Sequence, residues 1–150
     1  MKTPPIDQND PNANIELRVR TLRTLWIAGL LSLGGFFLLT IFAKPSEDIA
    51  PNPTLSLILL GIGVSTTLSS ILIRNRLLSR AVDQQQVPMV QQAYVVGWAV
   101  NEVAALLGLL DYFTTSNRFY YAPLIVSVCG QLLHFPRREA VLSAAFKNAF

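Results

Sequence analysis

The sequence predicts an all-α integral membrane protein: a polytopic bundle of four transmembrane helices with both termini in the cytoplasm. Three observations carry that prediction. Of the 150 residues, 51% are hydrophobic and 14% charged, against about 25% charged in an average soluble domain. Four apolar stretches approach the roughly 20 residues a helix needs to cross ~30 Å of hydrocarbon. When the chain is threaded through these stretches, ten of its twelve Lys and Arg residues fall on one side. The stretches do not alternate as barrel strands would, and helices are the other structure that satisfies its own backbone in lipid.

Residues 1–20 are polar and rich in Pro, Asn and Asp, so a disordered cytoplasmic segment without a signal-peptide pattern is expected there. The transmembrane domain is expected over 21–136. Its first span, "TLWIAGLLSLGGFFLLTIFA" (24–43), shows no polar face, unlike a soluble helix. "KPSEDIAPNP" is a turn-rich link to the second span, 54–73. The basic connector 74–92, "RNRLLSRAVDQQQVPMVQQ", is assigned to the cytoplasm, and its first part can extend the second helix into water before Pro88. The third span is 93–113. "TTSNR" then leads into the fourth, 119–135, which is near the lower limit of length. The tail 137–150 is cytoplasmic or interfacial; Val141, Leu142, Ala145 and Phe146 suit either a helix lying flat on the membrane or a frayed end.

Direction follows from charge. Lys2, Arg18, Arg20 and Arg23 precede the first span, Arg74, Arg76 and Arg80 follow the second, and Arg137, Arg138 and Lys147 follow the fourth. Only Lys44 and Arg118 oppose them. Positive residues stay inside, so this side is cytoplasmic, and a bacterial cytoplasmic (inner) membrane is expected. Tyr112, Tyr120 and Tyr121 then mark the outer interface, and Trp26 and Tyr94 the inner one. The arginines beside the spans (Arg18, Arg20, Arg23, Arg74, Arg76, Arg80, Arg137 and Arg138) are read as contacts for anionic lipid headgroups, not as a nucleic-acid surface.

Small residues let helices approach closely in lipid. Gly61, Ser65 and Ser69 form one ridge at four-residue spacing, and Ala93, Gly97, Asn101 and Ala105 form another, so the second and third spans are expected to pack on these ridges.

Glu102 is the anomaly of the chain. It lies about 14 Å into the third span at 1.5 Å per residue, close to mid-bilayer, where a charge costs roughly 2.5–3.5 kcal/mol. Ser32, Ser65, Thr66 and Ser127 fall at similar depth, and Asn101 is its neighbour on the same helix. Glu102, Asn101, Ser65, Thr66 and Ser127 are therefore the candidate proton or cation site, or a purely structural polar tie. Asp111 is expected to be a solvated residue at the outer edge, and His134 an interfacial one.

Residues 54–113 resemble the hairpin of the rotor-ring proteolipids, the c-type subunits of rotary ATP synthases. "LGIGVSTTLSS" looks like the small-residue helix, "RNRLLSRAVDQQQVP" stands where the polar loop lies, and "YVVGWAVNEVAALLGLL" looks like the carboxylate helix. The resemblance implies that Glu102 carries the proton.

No enzymatic constellation is legible: one His, one Cys, no phosphate-binding Gly loop, no metal-ligand spacing, hence no cofactor and no catalysis expected. The function expected is a structural or accessory subunit, packing against other membrane proteins or against itself. The alternative is a proton- or cation-handling proteolipid that uses Glu102.

Overall fold

A computed structural model of the chain describes residues 11–44, 50–115 and 117–146. Among these, every regular element is helical: α1 (Pro11–Phe42), α2 (Pro53–Asp83), α3 (Val87–Thr115), a short 3-10 turn (Arg118–Tyr120), α4 (Tyr121–Leu133) and α5 (Arg138–Ala145). Helices α1, α2 and α3, at 32, 31 and 29 residues, are about 43–48 Å long. All three are long and apolar enough to cross a membrane. α4 has 13 residues and reaches about 20 Å.

Local chemistry sets the ends. Asn52 caps α2 by accepting from the Leu55 amide at 3.0 Å, and Pro53 follows in the first turn, where its missing N–H costs nothing. At the other end Gln85 has φ 52°. The Gln86 amide donates to the Ala81 carbonyl at 2.9 Å and the Gln85 amide to Val82 at 3.2 Å. This is the double-bonded stop that usually takes glycine at the left-handed position. Gln85→Gly is therefore expected to stabilise the fold by about 1 kcal/mol, read as a higher melting temperature in detergent; a lower one would contradict this account of the turn.

The expected extension of the second helix into the connector is present, and it runs to Asp83. The rest of 74–92 is also helical, because α3 starts at Val87 and only Gln84–Gln86 join the two helix ends. The helix-forming run "RNRLLSRAVD" continues α2, and Val87 and Pro88 open α3. The N-terminal expectation changes too. Residues 1–10 lie outside the described residues, but helix begins at Pro11, and Ile15, Val19 and Leu22 are buried at helical spacing. Their partners are Ala81, Val90, Tyr94, Trp98, Val141 and Ala144. The C-terminal segment thus contributes α5 to this core, while 147–150 lie outside the described residues. The Arg138–Glu16 ion pair, at 2.8 Å, joins α5 to α1; both side chains are well exposed, so it adds little.

The order is up-down-up-down, with the start of α1, the end of α2, the start of α3 and α5 together at one end. Eight of the ten described Lys and Arg residues belong to this end.

The α2–α3 contact inverts the pattern of a soluble coiled coil. On α3 the buried positions Val90, Tyr94, Gly97, Asn101, Ala104, Gly108, Asp111 and Thr115 alternate in steps of four and three. On α2 they include Ser56, Leu59, Gly63, Thr67 and Ser70. Small and polar side chains face inward, and Leu57, Ile58, Ile62 and Leu68 face outward, as expected where the outer solvent is lipid. Gly97 and Ala105 are buried as part of this surface or beside it, but Gly61, Ser65 and Ser69 are exposed. The contact ridge of α2 is the neighbouring one, through Gly63, Thr67 and Ser70. Both ridges carry small residues, so composition does not distinguish them.

Candidate functional site: a polar seam inside the bundle

The middle of the bundle is built on Asn101. Its amide donates to the Ser127 carbonyl at 2.8 Å, and the Ser127 hydroxyl donates back to the Asn101 carbonyl at 3.0 Å. Both side chains are fully buried, so this pair clamps α3 to α4. Gln131, also fully buried, brings its side-chain oxygen to 3.4 Å from the same Asn101 amide. The close approach depends on glycine. A Cβ on Gly130 would collide with the Asn101 side-chain oxygen, and one on Gly29 would lie 2.6 Å from Nε2 of Gln131.

Glu102 points elsewhere. Successive helix positions are about 100° apart, so while Asn101 faces α4, Glu102 faces α1, where Ser32 is its polar neighbour. It is half-buried. Thr66 donates to its own helix at the Gly63 carbonyl, 2.9 Å away, and Ser65 is exposed. Of the five residues expected to form one site, Asn101 and Ser127 are thus together, Glu102 is beside them with Ser32, and Ser65 and Thr66 are apart. Among the described residues, three buried polar atoms lack a hydrogen-bond partner: Oγ1 of Thr67, Oδ1 of Asn101 and Nε2 of Gln131. All three belong to this layer.

Asp111 is not at the water edge. It is 1% exposed. Ser56 donates to its Oδ1 at 2.5 Å, and Thr115 approaches the same oxygen at 2.6 Å. This second tie joins α2 to α3, about 15 Å along α3 from Asn101. Between the two lies an apolar layer in which Gly63 meets Ala104 and Pro123, with Leu33, Ala105 and Leu124 packed beside it. The polar groups therefore form separate layers, not a continuous hydrogen-bonded chain.

His134, expected at the inner interface, is fully buried within the bundle. Its Nδ1 is 2.6 Å from the Gly130 carbonyl, so this nitrogen carries a proton; Nε2 is 3.3 Å from the Ser70 hydroxyl. Here α4 ends inside the bundle, and its last carbonyls need donors. Trp26 of α1 donates to the Gln131 carbonyl at 2.8 Å, Arg74 of α2 to Leu133 at 2.7 Å, and Trp98 of α3 to His134 at 3.3 Å. Each of the other three long helices supplies one donor. Sequence reading placed the aromatic and basic residues near this interface but missed the cap, because it depends on where α4 stops. Asp111 was legible in principle, since it falls on the repeat of α3.

Among the described residues no three His, Cys, Asp or Glu side chains converge as metal ligands. The chain matches no family model, no curated protein and no solved structure.

Proposed function

We propose that the chain is a small integral membrane protein that crosses the bilayer four times, keeps both ends in the cytoplasm, and serves as a structural or accessory subunit of a membrane complex or of a homo-oligomer. The fourth crossing is supported by α4 running back along α3, with Leu124 beside Gly108 and His134 beside Gly97. The orientation is supported by the basic end, and a bacterial cytoplasmic membrane fits that asymmetry. The functional reading is supported by one observation: the buried pairs Asn101–Ser127 and Ser56–Asp111 join helices to one another. The outward ridge of Gly61, Ser65 and Ser69 adds a surface that another helix can approach closely.

The test is the mass of the detergent-extracted particle and the proteins that co-purify. Association with partners or copies is expected; a lone monomer at native expression would refute the proposal. Glu102→Gln is expected to leave assembly unchanged, since an amide keeps the size and polarity of the side chain beside Ser32. Glu102→Leu is expected to reduce assembly by removing the polar neighbour of that hydroxyl.

A second reading, proton or cation handling at Glu102 as in a c-type proteolipid, is favoured by the unpartnered Nε2 of Gln131. That nitrogen and Oε1 of Glu102 both approach Gly29, at 2.6 and 3.9 Å from the position its Cβ would take. A proton-carrying Glu102 would react with a hydrophobic carbodiimide, and Glu102→Gln would abolish ion flux in vesicles without loss of assembly. Absence of labelling would remove this reading.

A further inference from the structure

At the basic end, a cavity of about 320 Å³ opens between α2, α3 and the start of α5. Arg74, Asn75, Tyr94, Arg137, Glu139 and Ser143 line its polar part. Arg74 is fixed at its mouth: one guanidinium nitrogen bonds the Leu133 carbonyl, and two others bond Oδ1 of Asn75 at 2.9 and 3.2 Å. Arg137 is positioned through its backbone, whose amide donates to the Tyr94 hydroxyl at 3.3 Å. Its guanidinium forms no ion pair or hydrogen bond among the described residues, and the charges of Arg74 and Arg137 repel each other across the cavity. Two arginines and one carboxylate, Glu139, line this partly enclosed space, and the excess of a single positive charge leaves it attractive to an anion.

We propose that this cavity binds the phosphodiester headgroup of an anionic phospholipid. Guanidinium groups present N–H pairs that match two phosphate oxygens at once, and a phosphodiester carries the single negative charge the cavity lacks. The walls continue into Leu133 and Phe135, which are 65% and 44% exposed. An acyl chain leaving the headgroup therefore meets apolar surface, which a free phosphate would not use. The inference rests on the membrane setting proposed above and adds a defined site to it. Basic pockets between helices on the cytoplasmic side are suited to such headgroups.

The experiment uses the full chain in a neutral detergent, with melting temperature followed on adding phosphatidylglycerol, phosphatidylcholine or inorganic phosphate. Arg137→Gln is the test variant, because Arg74 also caps α4; Arg20→Gln is the control arginine on the same end. Phosphatidylglycerol is expected to raise the melting temperature of the native chain and of Arg20→Gln, with at least tenfold weaker apparent affinity in Arg137→Gln. Equal shifts with phosphatidylcholine, or equal losses in both variants, would overturn the site. An equal shift with inorganic phosphate would overturn the lipid as its occupant. Failure of the membrane setting itself would show separately, as release of the chain from membranes by alkaline carbonate.

Discussion

Gly130→Leu is expected to abolish the stable bundle in detergent, and Gly130→Ala to cost about 1–3 kcal/mol. A Cβ at this position meets Oδ1 of Asn101 well inside contact distance and Cγ2 of Thr67 at 2.7 Å. Neither neighbour is free to withdraw. Asn101 is fully buried and held by Ser127, and Thr67 is buried in the α2–α3 contact. Gly34, Gly35 and Gly61 provide the matched control, since a Cβ on any of them meets nothing within 4 Å. Alanine there is expected to be neutral or to gain up to about 1 kcal/mol in helix propensity. Tryptophan fluorescence melting of Gly130→Ala against Gly61→Ala decides the matter; equal melting temperatures would show that α4 does not pack on α3 as described.

Asp111→Leu is expected to destabilise the chain by about 1–2 kcal/mol, a large effect for one polar contact between helices. Its carboxyl accepts from Ser56 across the helix pair and from Thr115 on its own helix. Thr115 keeps an alternative in the backbone carbonyl of residue 111, 2.9 Å away, and Ser56 keeps one in the Thr115 hydroxyl, 3.2 Å away, so the loss is of the shortest bond of the tie and not of every partner. Asp111→Asn, which retains an acceptor oxygen, is expected to stay within about 0.5 kcal/mol of the native chain. In a Ser56→Ala background the Asp111→Leu penalty is expected to shrink, and this coupling is what a double-mutant cycle measures. Equal penalties in both backgrounds would mean that the two residues do not interact.

The helical class and the three long apolar spans were legible because length and hydropathy determine them directly. The ends of the helices were less so. "LRVRTLR" looked like a flank of the membrane, yet Val19 and Leu22 are core residues of the basic end. Leucines facing lipid and leucines facing protein are alike in composition, so the α2 contact ridge was placed one face away, on Gly61, Ser65 and Ser69. The buried partners of Glu102, Asp111 and His134 depend on the rotation of each helix. Depth estimated along the chain groups residues by height but says nothing of azimuth. For that reason Ser32 and Ser65 looked equivalent, although Ser32 is half-buried beside Glu102 and Ser65 is exposed.

The contacts of α1 bear on the order of biogenesis. This helix leans on α3, α4 and α5, and makes no comparable contact with α2. It is synthesised before all the helices that support it. Until α3 and the segments after it follow, α1 is an apolar rod without its packing partners, and a product halted shortly after residue 92 would leave α1 and α2 as two unattached helices for proteases to find.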